Sequence, residues 1–323
     1  MTYPISDHFD GEHFFNPEPM NRQRNGRRFG ILSFLAARLR RDERQWPAWP
    51  AWVENRPYDP PIAPPPTLTF IGHSSFLIRL PGLNILTDPV FSLRCSPTQW
   101  LGPKRVRASG LALEALPNTD VILLSHNHYD HMDILALRAL RRRFPAVTLV
   151  APLGNAAYLA KKGLPGAVEL DWWQTAAIGQ GHVTATPARH FAARTPWDRN
   201  ETLWGGFFIS HGGLRIYFAG DTGATMFFGE INARLGAPDL ALLPIGAYEP
   251  RDFMAPVHMN PIEAVQAFIT LGAARAVGMH FGTFHLTAEP IDAPERELAV
   301  ARAAAGVTPA AFTTLGVGES MGL

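Results

Sequence analysis

From residue 67 onward the chain alternates short apolar runs with longer stretches of helical period. LTFIG, SFLIRL and LNILTDP open the series. VILLS (121–125), VTLVA (147–151), HVTATP (182–187), GFFIS (206–210), LRIYFAG (214–220), LALLPIG (240–246) and ARAVGMH (274–280) continue it. These runs are short, β-rich and bounded by turn residues, which predicts strands, several of them buried on both faces. Helices are predicted over 133–143, 152–162, 260–271 and 292–305. Two have explicit start and stop signals. Asn260 is placed to cap, Pro261 sits at the first helical position, Glu263 completes a capping box and Gly272 follows the last turn. Asp292 and Pro294 begin the final helix, and Gly306 ends it. The alternation predicts an α/β fold.

Residues 1–66 break the pattern. They are rich in Arg, Pro and Trp and end in Pro60, Pro61, Pro64, Pro65 and Pro66. This predicts an N-terminal extension wrapped on the core, with 67–323 as the folded domain. Inside it, Phe29–Leu39 (FGILSFLAARL) is apolar and flanked by Arg27, Arg28, Arg38, Arg40 and Arg41. The segment is either a helix docked on its own domain or an interfacial helix seated on anionic lipid.

Composition narrows the classes. Hydrophobic residues make up 46% of the 323 positions and charged residues 18%, enough to bury a full core. A formal net charge of +1 argues against a nucleic-acid partner. The one dense basic cluster, Arg138, Arg141, Arg142 and Arg143, reads as a solvated helix face. Cys95 is the sole cysteine, so no intrachain disulfide forms and a reducing compartment is expected. The opening MTYPISDHFDGEHFF lacks the build of a signal peptide, and no apolar run reaches membrane-spanning length. A cytoplasmic protein is expected, with peripheral membrane contact and a homodimer both left open.

The chemistry concentrates in Ser125-His126-Asn127-His128-Tyr129-Asp130-His131, directly after the apolar run VILLS. A loop there can aim imidazoles and a carboxylate into one pocket. Those ligand types suit zinc, with iron or manganese as alternatives. Three further candidates obey one rule: His190 follows HVTATP, Asp221 follows LRIYFAG, and His280 closes ARAVGMH. Each lies at the C-terminal end of a predicted strand, and in α/β sheets such ends meet along one rim. Seven ligands suffice for two ions. The expected division gives His126, His128 and His190 to one ion and Asp130, His131 and His280 to the other, with Asp221 bridging. Two such ions can hold a hydroxide between them, a nucleophile at neutral pH.

These residues resemble the metallo-β-lactamase superfamily, whose mark is an H-x-H-x-D-H motif followed by a separate His, Asp and His. Asp88, in LTDP, fits its usual early aspartate. The resemblance implies an αββα sandwich with a dinuclear site on one edge. A longer series of segments is similar to the N-acyl-phosphatidylethanolamine-hydrolysing phospholipase D family: IGHSSFLI, LTDPVFS, SPTQWLGPKR, LLSHNHYDHMD, ELDWW, LWGG, FAGDTG, PIGAYEPR, HMNPIEAV and HFGTF. That likeness implies a phosphate contact for His258 beside the metals and a pocket role for Gln99. Tyr248, Glu249 and Arg251 are expected on the same rim, either binding substrate or forming a structural ion pair. His285, after HFGTF, departs from the pattern and leaves acyl-chain preference open.

The expected activity is therefore metal-dependent hydrolysis of a phospholipid, with Asp130, Asp221 and His258 as catalytic residues. Two readings compete with it. One is a hydrolase of another ester, lactone or phosphodiester. The other is a non-enzymatic regulator at a membrane surface, and the complete ligand set speaks against it.

Overall fold

The computed structural model describes residues 3–17 and 66–323, and the Phe29–Leu39 segment lies outside them. Alternation along single strands decides which layer each side chain joins. In β2 (Ser75–Leu80), Phe76, Ile78 and Leu80 enter one apolar cluster, while Leu77 enters another on the opposite face. The same split recurs in β3 (Leu83–Thr87), where Ile85 and Leu86 part company, and in β4 (Val121–Leu123), where Leu123 and Ile122 do. A period of two on a pleated strand produces this sorting.

Two seven-stranded sheets result. The first runs β14 (Ser320–Gly322), β1 (Thr67–Gly72), β2, β3, β4, β5 (Thr148–Pro152), β6 (Val168–Leu170). The second runs β13 (Phe312–Thr313), β12 (Arg275–Met279), β11 (Leu240–Pro244), β10 (Leu214–Phe218), β9 (Gly206–His211), β8 (Gly181–Thr186), β7 (Thr175–Ile178). In each sheet antiparallel hairpins give way to parallel strands, from β3 to β6 and from β10 to β13. The main cluster joins Phe70 and Phe76 of the first sheet to Phe207 and Phe218 of the second, so the core lies between the sheets.

Helices cover the outer faces. Helix α1 (Ile134–Arg143) buries Leu137 and Leu140 with Leu77, Leu86 and Ile122, and α2 (Asn155–Lys161) adds Leu159. On the other side lie α3 (Phe227–Leu235), α5 (Pro261–Leu271) and α6 (Ala293–Ala304), with a short α4 (Arg251–Met254) before α5. Parallel strands covered on both faces explain the continuous apolar runs of β11 and β12. The arrangement is the αββα sandwich expected from the motifs.

The capping box of α5 forms as expected: the Glu263 amide donates to Asn260 Oδ1, and the Asn260 amide donates to Glu263 Oε2. Other boundaries differ. The helix expected from 152 begins at Asn155, because Pro152 completes β5 and Gly154 turns through φ +86°. The runs 214–220 and 240–246 stop as strands at Phe218 and Pro244, where the chain leaves the sheet. β6, β7, β13, β14, α3 and α4 were not anticipated. The strands among them are two to four residues long; β6, β13 and β14 are defined by partners distant in sequence, and β7 forms a tight hairpin with β8. Helix α3 contains Gly229 and starts at Met226 with no side-chain cap.

Residues 3–17 carry no long element, yet they are anchored. Phe9 and Phe14 are buried with Trp172, Ala188, Leu203, Trp204 and Phe227. His8 stacks on Trp172 at 4.3 Å and meets Asp171 Oδ1 at 2.7 Å. Burying Phe14 alone is worth about 1.5–3 kcal/mol.

Candidate metal centre

Strand ends deliver the polar side chains to one rim. His126, His128, Asp130 and His131 follow β4, His190 follows β8, Asp221 follows β10 and His280 follows β12. Gly220 lets the chain turn into Asp221: it has φ +60°, and a Cβ there would lie 2.7 Å from the Gly205 carbonyl oxygen and 2.7 Å from Ser125 Cβ. His73 (φ 57°), Asp88 (φ 31°) and His280 (φ 63°) also take left-handed backbone conformations. For residues with a Cβ that conformation costs about 1–2 kcal/mol, and such strain gathers at functional sites.

The seven candidates converge. His126 Nε2 lies 2.8 Å from His128 Nδ1, and His190 Nε2 lies 3.3 Å from that same atom. Across from this trio, Asp130 Oδ2 lies 3.6 Å from His131 Nε2 and 3.4 Å from His280 Nε2. One oxygen stands between the groups. Asp221 Oδ2 is 3.0 Å from both His131 Nε2 and His280 Nε2, 3.9 Å from His126 Nε2 and 3.8 Å from His190 Nε2. Ligand atoms 2.0–2.2 Å from a tetrahedral ion lie about 3.3–3.6 Å from one another, so these spacings fit.

Hydrogen bonds aim the rings. Asp88 accepts from the Ser125 amide (2.7 Å) and Ser125 Oγ (2.5 Å), and His131 Nδ1–H donates to it at 2.6 Å. Ser125 Oγ lies 2.9 Å from His126 Nδ1 and accepts its proton. His190 Nδ1–H donates to the Val257 carbonyl at 3.0 Å. In all three rings Nε2 faces the cluster, the arrangement outer partners impose on metal-binding histidines. Asp88, fully buried and engaged on both oxygens, orients the ring of His131 directly and that of His126 through Ser125.

The electrostatics fit a cation. Burial, helped by adjacent imidazoles, holds His126 and His190 well below the usual histidine range. Burial also takes His128 down to about 4, and His73 and His258 down to about 3. His131 and His280 behave oppositely. Burial opposes their charge, but Asp221 and Asp130 outweigh it, raising His131 well above its ordinary value and His280 to about 9. Asp130 and Asp221 stay well below the carboxylate range against burial, chiefly through His131. Neutral imidazoles at His126, His128 and His190 beside charged carboxylates suit a divalent ion, and such an ion would take the place of the proton held on His131 and His280. His131 Nε2, His280 Nε2 and Asp221 Oδ1 are buried without hydrogen-bond geometry to any partner, a costly state that coordination relieves.

Other expectations separate. His258 stands at the centre's edge, its Nε2 4.0 Å from Asp221 Oδ2 and its ring 5.1 Å from those of His190 and His280. Gln99 is braced against its own loop through both Arg94 backbone groups, at 3.1 and 3.0 Å. Arg251 is structural: it grips Glu263 at 2.8 and 2.7 Å and donates to the His258 carbonyl at 3.0 Å. His73 went unrecognised as a site residue. Its Nε2 is 3.1 Å from Asp130 Oδ2, and its ring centroid is 4.1 Å from that of His280. The strand-end rule would have found it, since it directly follows β1.

Next to the metal loop lies a cleft of about 360 Å³, lined by Arg94, Gln99, Tyr129, Arg138, Lys162 and Arg194 among others. Arg194 ties cleft to loop. Its guanidinium donates to the Asn127 and Met132 carbonyls and stacks on Tyr129 at 3.9 Å. Near the cleft residues in sequence, Trp100, Leu101 and Trp197 are 76%, 61% and 84% exposed. No described helix is long and apolar enough to cross a membrane.

Residues 83–281 match the model of the β-lactamase superfamily domain. With the αββα sandwich and the His/Asp cluster, the chain belongs to the metallo-β-lactamase superfamily of metal-dependent hydrolases. Among its relatives, N-acyl-phosphatidylethanolamine-hydrolyzing phospholipase D 1 of Caenorhabditis elegans is 38% identical over 67% of this chain and 64% of its own length. An uncharacterized protein of Mycobacterium tuberculosis is 44% identical over 72% of this chain and 63% of its own. The chain thus spans less than two thirds of either protein. A metal-dependent hydrolase of Rubrobacter xylanophilus is 33% identical, with 72% and 89% covered. The fold matches the solved structure of a metallo hydrolase from Ignicoccus hospitalis (TM-score 0.59, 24% identity, 79% of this chain and 97% of that one).

Proposed function

We propose that this chain is a dinuclear zinc phosphodiesterase that hydrolyses a phospholipid such as N-acyl-phosphatidylethanolamine in the manner of a phospholipase D. The observation that carries the dinuclear reading is Asp221 Oδ2, set between two donor groups. His126, His128 and His190 would hold one ion, Asp130, His131 and His280 the other, and Asp221 both. Bound there, the ions supply Lewis-acid charge and lower the pKa of water toward neutrality.

The chain's own residues do the rest. Asp88 and Ser125 fix the rings of His131 and His126, and the Val257 carbonyl fixes His190. His258, 7% exposed at the edge, would meet a phosphoryl oxygen. Water adds to phosphorus, the phosphorus–oxygen bond to the head-group alcohol breaks, and that alcohol leaves with a proton. Phosphatidic acid is the other product.

The lipid assignment is supported by the relationship to the nematode phospholipase D and by the surface near the cleft. Arg94, Arg138 and Lys162 offer positive charge to a phosphate-bearing surface. Trp100 and Trp197 are residues of the kind that settle at a bilayer boundary.

The test is product analysis. Zinc-loaded protein is incubated with vesicles of mixed phospholipids that include N-acyl-phosphatidylethanolamine, and with a soluble bis-aryl phosphodiester. Release of phosphatidic acid and the free N-acyl alcohol amine supports the reading. Turnover of the soluble diester alone refutes the lipid assignment, and turnover of neither refutes the phosphodiesterase.

A further inference from the structure

One metal-ligand candidate is held from outside the region the family model covers. That region begins at residue 83. Asn16, 174 positions before His190, reaches the rim along the N-terminal segment. Its Nδ2 donates to the His190 carbonyl at 2.8 Å, and its Oδ1 accepts from the His190 amide at 3.1 Å. The carboxamide thus closes on both main-chain groups of one residue, as a neighbouring strand would. The His190 ring is fixed independently by the Val257 carbonyl. Backbone and ring are therefore pinned from two directions, which leaves Nε2 one position.

The segment is built to hold Asn16 there. Tyr3 Oη donates to Glu169 Oε2 at 2.9 Å and accepts from the Gly154 amide at 2.9 Å. Phe9 and Phe14 are buried against Trp172, Ala188, Ala192 and Trp204, beneath the loop that carries His190. The Phe14 amide donates to the Asn200 carbonyl at 2.8 Å, and the Asn200 amide donates to the Ala192 carbonyl at 2.7 Å, bracing the stretch that follows His190. His190 lies in a stretch without helix or strand; the preceding Arg189 is held by its amide donating to Thr222 Oγ1 at 3.0 Å and its carbonyl accepting from the Gly223 amide at 2.9 Å, and Asn16 holds the main chain of His190 itself.

We infer that residues 3–17 form a strap that completes the metal centre, with Asn16 as the positioning residue for His190. The inference rests on the dinuclear reading above. It makes affinity at one ion depend on a segment that touches neither ion. Loss of an outer partner of a metal ligand weakens affinity about 10–100-fold.

The experiment uses the full chain, zinc-loaded, with graded chelator competition resolving the two equivalents, and amide hydrogen exchange across residues 188–192 of the metal-free protein. In Asn16→Ala, one equivalent should weaken about tenfold, the other should hold, and exchange at His190 should quicken. Asn16→Asp keeps the volume and the acceptor but loses the donor, so it should fold and also weaken one equivalent. Tyr3→Phe loosens the far end of the strap but keeps both Asn16 bonds available, so it should weaken the same equivalent much less than Asn16→Ala does.

Unchanged zinc retention in both Asn16 variants overturns the inference. So does a parallel fall of both equivalents together with melting temperature, which marks a purely structural strap. An equal loss in Tyr3→Phe removes Asn16 from its role. If wild-type protein takes up no zinc, the dinuclear reading itself fails. That result is distinct from two equivalents retained equally by wild type and variant.

Discussion

Asp88→Asn is the sharpest probe of how this centre is organised, because Asp88 touches no ligand atom that faces the cluster. Its two oxygens accept three hydrogen bonds: Oδ1 from the Ser125 amide, Oδ2 from Ser125 Oγ and from His131 Nδ1–H. Asparagine has one acceptor oxygen. In either orientation its NH2 meets a donor, the rigid Ser125 amide on one side or Ser125 Oγ and His131 on the other. Facing His131, the NH2 group stabilises the tautomer with the proton on Nε2, which blocks the lone pair aimed at Asp221. Ser125 Oγ also loses its acceptor, and with it the alignment of His126 Nδ1.

A hydrogen bond to a charged group is worth about 1.5–3 kcal/mol, so the fold should be weakened by a similar amount. Each misdirected ligand should lose about 10–100-fold in metal affinity, or about 1.4–2.8 kcal/mol. Because His126 and His131 belong to different donor groups, both zinc equivalents should weaken. Chelator competition and thermal unfolding of zinc-loaded protein read the two effects separately. A variant that melts lower but retains both equivalents with wild-type affinity would show that Asp88 only stabilises the fold.

Four further outcomes are expected. Wild-type protein should bind close to two zinc equivalents, and Asp221→Asn should lose turnover by several orders of magnitude while keeping its fold, since an amide cannot neutralise two cations; near-normal kcat in a zinc-loaded variant removes the bridging role. His258→Ala should lower kcat and kcat/KM together and retain its zinc; loss of an equivalent in elemental analysis would make His258 a ligand. Docking of the N-terminal segment should depend on pH through His8: burial opposes its charge, but Asp171 and Asp7 prevail and raise its pKa above the ordinary value. Its contribution is therefore complete below about pH 6.5 and fades as pH rises through the folded-state value. His8→Ala should flatten that part of the melting-temperature profile, and an unchanged slope would exclude the His8–Asp171 pair as its source.

Much of the centre was legible in the chain. Apolar runs closing on His126–His131, Asp221 and His280 carry the information locally, because a parallel strand buried on both faces must be apolar and its C-terminal end must turn onto a shared rim; His190 instead closes β8, which pairs antiparallel with both of its neighbours. The capping box at Asn260–Glu263 was readable for the same reason: cap and partner are three residues apart. What only the tertiary structure decided depends on distance in space. His73 reaches Asp130 across 57 positions, Asp88 orders His131 across 43, and Asn16 grips His190 across 174. The edge strands β13 and β14 are two and three residues long and exist only because β12 and β1 offer a free side. Arg251 and Gln99 look in sequence like any polar residues beside a site; packing turned one toward Glu263 and the other toward its own loop. Sequence specifies which donors exist and which strand ends present them. Ring orientation, tautomer and the separation of donor atoms arise from hydrogen bonds between segments that meet only when the two sheets close.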